Sequence, residues 1–366
     1  MDRRRAKAPP AAPALLTPGD RPQMADIARL VGVSIATVSR ALSGNRGVGA
    51  ETRARIEALA RSLNYAVNVG AQNLRLKQNH TVAVIVPFDA ISREHLSDPF
   101  FLSLIGSIAD ALTHSGYDML LSRIDSERLD LAAHTIETGR AAAAILIGQW
   151  HSHDQLNAMA QRGVPFVVWG GHMARQLYVT VGTDNLHGGH LAATHLLDQG
   201  ARHIAFVGDP GLPEIAQRRA GYLRAHQDRG LEADPRLMRT LPFLSERIHA
   251  DLEALLATGT LLDGIVAGSD LCAMSAINTL RRAGRRVPGD VAVVGYDDIE
   301  LAAHFNPALT TVRQPIAQAG RALVDSVMAM LAGHRPASVI LPTELVQRES
   351  SRPVRASSLG RAKTGR

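Results

Sequence analysis

The sequence predicts two kinds of fold in one chain: a small all-helical domain near the N-terminus, and behind it an α/β body built on two doubly wound parallel sheets. Three observations predict this. Three amphipathic segments follow one another between residues 24 and 63 with no strand-like run among them. From Thr81 onward, short apolar runs alternate with helical patterns, as when parallel strands are joined by crossover helices. The charge is also partitioned. Residues 1–23 carry a net +3, residues 24–78 a net +5 and residues 352–366 a net +5, while residues 79–351 hold 22 basic against 29 acidic side chains. Basic ends on an acidic body point to a polyanion binder tethered to something else.

At 366 residues, with 46% hydrophobic, the chain exceeds one ordinary core and has the apolar surface for two or three. The single cysteine, Cys272, excludes an internal disulfide framework and any Cys-rich zinc module, and its apolar neighbours place it in a core. No apolar run approaches the ~18 residues of a membrane span. Residues 1–22 are basic and rich in Ala and Pro, without the apolar stretch of a secretory signal. They are expected to be a disordered tail on a cytoplasmic protein with no membrane contact.

Each helical segment has a physical reason. Residues 25–31 carry Ile27, Leu30 and Val31 on one face, and Gly32 supplies a tight turn. Ser34 is placed to cap a second helix over 35–42 that turns Val38, Ala41 and Leu42 inward. A third, over 50–63, carries Ile56, Leu59, Ala60 and Leu63 at helical spacing. Two helices crossing steeply need a small residue at the contact (Ala28), a flexible turn (Gly32) and an apolar lock (Val38), and these fall at helix-turn-helix spacing. With Val38 and Leu42 inward, the second helix presents Ile35, Ala36, Ser39 and Arg40 outward. A recognition helix meets base edges through its N-terminal residues. Arg40 has the fork for guanine, Ile35 and Ala36 suit a thymine methyl, and Thr37 and Ser39 suit phosphate oxygens.

The run from Met24 to Leu42, with Thr37-Val38-Ser39-Arg40 at its centre, resembles the headpiece of the lac/galactose repressor family. The likeness continues through Thr52-Arg53, Leu63-Asn64-Tyr65, Asn68 and Ala71-Gln72-Asn73-Leu74. It implies that Ile35, Ala36 and Arg40 read bases, that Thr37, Ser39 and Asn64-Tyr65 lie near the backbone or the headpiece core, and that Asn68 is among the DNA-binding residues. It also implies a hinge helix in which Leu74, beside Ala71, wedges into the minor groove of the operator. Val67 replaces a usual proline, Gly70 a larger residue, and Gln23 and Gly49 the usual Thr and Ser caps. A hinge helix that forms only on DNA is therefore expected, since glycine costs about 1 kcal/mol of helix propensity.

In the body, apolar runs lie at 81–86, 119–122, 142–147, 166–168, 204–207, 264–267 and 291–295, with helical patterns such as 101–115, 186–199 and 269–283 between them. A break near Val181-Gly182-Thr183-Asp184 divides the body in two. Ligands in such folds sit beyond the carboxyl ends of the strands, so two facing halves make a cleft. The body resembles the same family and, through it, the periplasmic sugar-binding proteins. The landmarks are Asp98-Pro99-Phe100-Phe101, Gly182-Thr183-Asp184-Asn185 with Gly188-Gly189, Arg218 before Gly221-Tyr222, Ser269-Asp270, the run from Val293 to Asp298, and the run from Leu309 to Pro315.

That resemblance implies a cleft lined by Asp98, Phe100, Trp169, Arg218, Phe243, Ser269, Asp297 and Gln314. Carboxylates and a guanidinium take paired hydroxyls while an aromatic ring covers an apolar sugar face. Gly170 stands where an acidic ligand occurs in relatives, and Ser269 where Asn is frequent, both against a galactoside in particular. The expected layout is a helix-turn-helix domain over 23–67, a hinge over 68–78, an effector-binding and dimerisation domain over 79–351 and a basic tail over 352–366. Within the body, 80–182 with 313–334 and 184–311 with 336–350 form the halves.

No G-x-G-x-x-G follows a strand, and neither a P-loop nor G-x-S-x-G is present, so an enzyme is not expected. The basic headpiece opposes a free sugar-binding protein. His151, His153, His187 and His190 lack acidic or Cys partners at metal-ligand spacing, and neither metal nor cofactor is expected. The expected partners are a near-palindromic duplex operator, a small sugar-like effector and a second copy of the chain. The tail lacks the leucine heptads of a tetramer-forming coiled coil.

Overall fold

The computed structural model describes residues 22–42, 47–63, 65, 79–88, 96–150, 152–241 and 245–351. Residues 1–21 and 352–366 of the basic tails, the hinge positions Asn68, Ala71 and Leu74, Phe243 and His151 lie outside the described residues. The chain divides into two units, residues 1–78 and 79–366.

In the first unit, α1 (Met24–Val31), α2 (Ile35–Leu42) and α3 (Ala50–Ser62) pack Ile27, Ala28, Val38, Ala41, Ile56 and Ala60 into one core. Gly32 ends α1 at φ 79° and its N–H donates to Ala28 O at 3.0 Å. Ser34 caps α2, its Oγ accepting from the Thr37 N–H at 3.1 Å. Gln23, which stands in the cap position of α1, donates its backbone N–H to the Asp26 carboxylate at 2.9 Å. Leu30 departs from the sequence expectation, since it is half exposed. The buried stripe is centred between Ile27 and Ala28, and at 3.6 residues per turn Leu30 lies about 110° from that centre.

The second unit holds two six-stranded sheets. The first contains β1 (Thr81–Phe88), β2 (Asp118–Asp125), β3 (Ala143–Ile147), β4 (Phe166–Trp169), β5 (Val179–Thr183) and β11 (Val339–Leu341). Its order is β11-β5-β4-β3-β1-β2, and every pairing is parallel. The second contains β6 (Ile204–Val207), β7 (Met238–Arg239), β8 (Gly264–Ala267), β9 (Ala292–Asp297), β10 (Thr310–Arg313) and β12 (Glu344–Val346). Its order is β12-β10-β9-β8-β6-β7, parallel except for β12 against β10.

Helices cover both faces of each sheet: α4 (Pro99–His114), α5 (Asp130–Glu137), α6 (His153–Gln161) and α11 (Ile316–Leu331) on the first, and α7 (Asn185–Asp198), α8 (Pro213–Gln227), α9 (Ser245–Ala257) and α10 (Asp270–Arg282) on the second. Strands buried on both faces read as continuous apolar runs, which is why the runs were legible without alternation.

The chain passes between the halves three times, at Thr183-Asp184, at Arg313-Gln314-Pro315 and at Pro342-Thr343. One boundary is corrected here. Residues 336–350 do not all belong to the second half, because β11 pairs with β5 of the first sheet and only β12 pairs with β10. The crossing segments are tied to one another. The Asp184 N–H donates to Leu341 O at 2.9 Å, the Thr183 hydroxyl to Gln314 Oε1 at 2.8 Å, and the Thr343 hydroxyl to Asp184 O at 3.3 Å.

Candidate functional site

On α2, Ile35, Ala36 and Arg40 are exposed while Thr37 and Ser39 are half-buried beside the core residue Val38. The Thr37 hydroxyl shares a hydrogen bond with the Ser34 hydroxyl at 2.9 Å, which fixes its rotamer at the start of the helix. Arg40 lays its Nε against Ala36 O at 3.2 Å. The helix thus offers a guanidinium, a methyl and a branched apolar side chain on one free face.

In the body, the carboxyl ends of the strands bring the polar groups together around Arg218 on α8. Two glycines allow that placement: a Cβ at Gly189 would run into Arg218 O, and one at Gly221 into Leu186 O, so α7 and α8 cross in backbone contact. Arg218 is buried. Its Nε donates to Asn185 Oδ1 at 2.9 Å and its Nη1 to Gly268 O at 2.6 Å. Its guanidinium lies 3.6 Å over the Tyr296 ring and 3.9 Å from Asp297 Oδ1. Asp297 accepts from Gln314 Nε2 at 2.7 Å, and Gln314 Oε1 in turn accepts from Thr183. Arg218, Asp297 and Gln314 therefore form one chain that ends on two of the crossing segments.

Asp297 sits at φ 117° and Asp298 at φ 57°, conformations that L side chains rarely adopt. Non-glycine residues persist there when the surroundings over-determine them. Asp298 is clamped by Arg313 and Arg348, each at 2.6 Å. Behind it, the fully buried Asp270 accepts from the Thr311 hydroxyl at 2.5 Å and from the Ile299 N–H at 2.9 Å. Burial pushes the Asp297 carboxyl up to about 7. Arg218 opposes that rise and the neighbouring Asp98 adds to it. Asp98 is raised as well, again chiefly by burial, and spends one oxygen on the Phe100 N–H at 2.8 Å as the cap of α4.

Phe100 packs against the cores of both halves, and its ring lies 6.2 Å from that of Trp169 at the end of β4. Ser269 is adjacent to the Gly268 carbonyl held by Arg218, but its own hydroxyl caps α10 by accepting from the Cys272 N–H at 3.2 Å. Of the residues the sequence singled out, Arg218, Asp297 and Gln314 are in direct contact, Asp98 is within their electrostatic reach, and Phe100 and Trp169 pair with each other. Cys272 is in the core of the second half.

Sequence inspection missed Asn185 as a partner of Arg218, and Glu214. Glu214 lies one turn before Arg218 on α8, and burial raises its carboxyl while Arg218 lowers it. The i, i+4 spacing was the available signal. Gln217 Nε2 of the second half donates to His172 O of the first at 2.9 Å, joining the halves directly. His190 pairs with Asp228 at 3.0 Å, and His153 meets the Tyr178 hydroxyl at 3.0 Å. Among the described residues no three His, Cys, Asp or Glu side chains are grouped to hold a metal, and no helix is long and apolar enough to cross a membrane.

Residues 23–68 match the bacterial regulatory proteins of the lacI family, and residues 193–351 match a periplasmic binding protein-like domain. The chain is 32% identical over 340 residues to the HTH-type transcriptional regulator CelR of Thermobifida fusca, across 90% of this chain and 98% of that one. It is 30% identical over 307 residues to the ribose operon repressor of Escherichia coli K12, across 82% and 91%. A transcriptional regulator CelR–cellobiose complex superposes with a TM-score of 0.67 at 30% identity, over 90% of this chain and 100% of that one. The lac repressor dimer bound to operator and the anti-inducer ONPF gives 0.80 at 24% identity, over 91% and 99%, a likeness of fold. With a helix-turn-helix headpiece that exposes one face of its second helix and a buried polar cluster in a periplasmic-binding-protein-like body, the chain belongs to the lacI family of bacterial regulatory proteins and is a DNA-binding transcriptional regulator.

Proposed function

We propose that this regulator represses carbohydrate-metabolism genes and that a small neutral sugar in the body cleft sets its affinity for a near-palindromic operator. The observation that carries the reading is the chain Arg218–Asp297–Gln314, buried and ending on the segments that join the halves, together with the Phe100–Trp169 pair. A guanidinium and a carboxylate 3.9 Å apart suit adjacent hydroxyls, and the rings suit an apolar sugar face. Related regulators have been solved with cellobiose and with ribose. Asp98 belongs to the proposed lining through its influence on Asp297, and Ser269 and Phe243 join it on the family likeness alone.

On DNA, Arg40 takes a guanine edge, Ile35 and Ala36 contact apolar base edges, and Thr37 and Ser39 meet the backbone. Asn68, Ala71 and Leu74 act at the minor groove. Two copies place their recognition helices in successive major grooves. A sugar that prefers one angle between the body halves shifts operator affinity by its difference in affinity for the two states, and no more. The protein works in the cytoplasm, without cofactor or catalysis.

The test is a thermal-shift screen of sugars against the full chain. A sugar bound at 100 times its Kd stabilises the body by about 2.7 kcal/mol. Stabilisation lost in Arg218→Ala supports the site, whereas a sugar that stabilises both equally binds elsewhere.

A further inference from the structure

The turn that follows β3, Gly148-Gln149-Trp150, has an arrangement that the site described so far does not use. Gln149 is fully buried. Its Nε2 donates to the Tyr178 hydroxyl at 2.9 Å, while its Oε1 has no hydrogen-bond partner among the described residues. That carboxamide lies against Gly170, directly after Trp169, where a Cβ would stand 2.7 Å from Gln149 Oε1. Position 170 has no side chain, and the carboxamide of a neighbouring strand end fills its place.

The next residue adds a second oddity. Trp150 has φ 49°, a left-handed conformation, and Gly148 has φ 100°. The two together fold the indole back over the end of β3, so that a Cβ at Gly148 would lie 3.1 Å from Trp150 Nε1. Directly after Gly170, a Cβ at Gly171 would stand 2.9 Å from the Gln217 carboxamide of the second half, which donates to His172 O, so this strand end borders the contact between the halves. Buried polar atoms without partners and strained non-glycine residues both concentrate where ligands bind.

We propose that Gly148-Gln149-Trp150 is a specificity-determining wall of the effector cleft: the Gln149 carboxamide stands in for the missing side chain at Gly170 and accepts a hydroxyl, and Trp150 covers an apolar sugar face. The inference rests on the sugar-effector reading and narrows it. An amide oxygen takes a hydroxyl donor without adding charge, so this wall selects an uncharged ring over a sugar phosphate. A site built to satisfy a hydroxyl rejects the analogue that lacks it.

The chain has two tryptophans, so Trp169→Phe leaves Trp150 as the only indole fluorophore. Full-length protein carrying that substitution is titrated with cellobiose, D-ribose and D-glucose while Trp150 emission is followed. Affinities of Gln149→Leu, Gly170→Asp and the double variant Gln149→Ala/Gly170→Asp are measured by calorimetry in the otherwise native chain. Sugar binding should change Trp150 emission, and Gln149→Leu should raise Kd about tenfold. Gly170→Asp should remove measurable binding, because its side chain enters the space the carboxamide holds. The double variant should recover Kd to within about tenfold of the native value. Relief of the clash alone gives the same recovery, so Gln149→Leu, which keeps the volume and removes the acceptor, is the variant that separates ligand contact from packing.

The proposal is overturned if a sugar that calorimetry shows to bind the Trp169→Phe protein leaves Trp150 emission constant, or if Gln149→Leu binds as well as the native chain; where Trp169→Phe no longer binds, Gln149→Leu decides. It is also overturned if the double variant is no better than Gly170→Asp. Should Gly170→Asp fail to fold, Gln149→Leu and the Trp150 signal decide. If none of the three sugars binds the native chain at millimolar concentration, the sugar reading itself falls, and this inference with it.

Discussion

Replacing Arg218 with alanine tests the centre of the proposed cleft. The guanidinium makes two short hydrogen bonds, to Asn185 and to Gly268 O, covers Tyr296, and is the largest favourable influence on the buried Asp297 charge. Removing one partner of a buried ion pair costs about 3–5 kcal/mol, because the other charge is left uncompensated. Asp297 can escape part of that cost by taking a proton. Its folded pKa is already raised, to about 7, above the unfolded value, so the folded state holds the proton more tightly.

Stability from this group is therefore greatest at acid pH and falls as pH rises from about 4 toward 7, by at most about 1.4 kcal/mol per pH unit. Without Arg218 the pKa rises further and the fall continues above 7. The loss in Arg218→Ala should thus be about 3–5 kcal/mol at pH 8 and clearly smaller at pH 5. Surface pairs such as Arg286–Asp290 are unchanged in both proteins and cancel in the difference. Urea unfolding of the full chain at both pH values measures it, with the body transition followed. An equal loss at both, or a greater loss at pH 5, refutes the assigned coupling between Arg218 and Asp297.

Three further outcomes follow from the same geometry. Arg40→Ala, on an exposed position, should leave stability within about 0.5 kcal/mol while costing about 1–3 kcal/mol of operator affinity and relaxing preference at one base pair, read by competition binding. Gly221→Ala should destabilise the body by about 1–3 kcal/mol or more, because the added methyl meets Leu186 O where α7 and α8 touch, and denaturation midpoints report it. Leu74→Ala should weaken specific operator binding while sparing non-specific binding, and equal loss of both removes the wedge.

Ala28, Gly32 and Val38 made the headpiece legible because a steep helix crossing restricts residue types at fixed spacing. Leu30 misled because apolarity alone does not say which side of a short helix a residue takes. In the body, strands buried on both faces announced themselves as apolar runs, and the break at Thr183-Asp184 marked the first crossing. The three-residue strands β11 and β12 carry no period, so the sequence could not say that the third crossing falls between them.

The polar chain from Arg218 to Gln314 came from family likeness, and the structure brings its members into contact. Asn185, Glu214 and the Gln149–Tyr178 bond were invisible because they join positions whose nearness only the folded sheets create. Ser269 shows the opposite case: its residue type suits a ligand, but its hydroxyl is committed to capping α10.

The most direct measurement is fluorescence anisotropy of a labelled inverted-repeat duplex titrated with the full chain, against a scrambled duplex, with and without a sugar that raises the melting temperature. Specific sites should bind about 10³-fold or more tighter than scrambled DNA, weakening steeply with salt. The sugar should shift that affinity about 5–150-fold, and the operator should shift the sugar's affinity by the same factor. Equal binding to both duplexes, or an operator affinity untouched by a sugar that demonstrably occupies the cleft, contradicts the account.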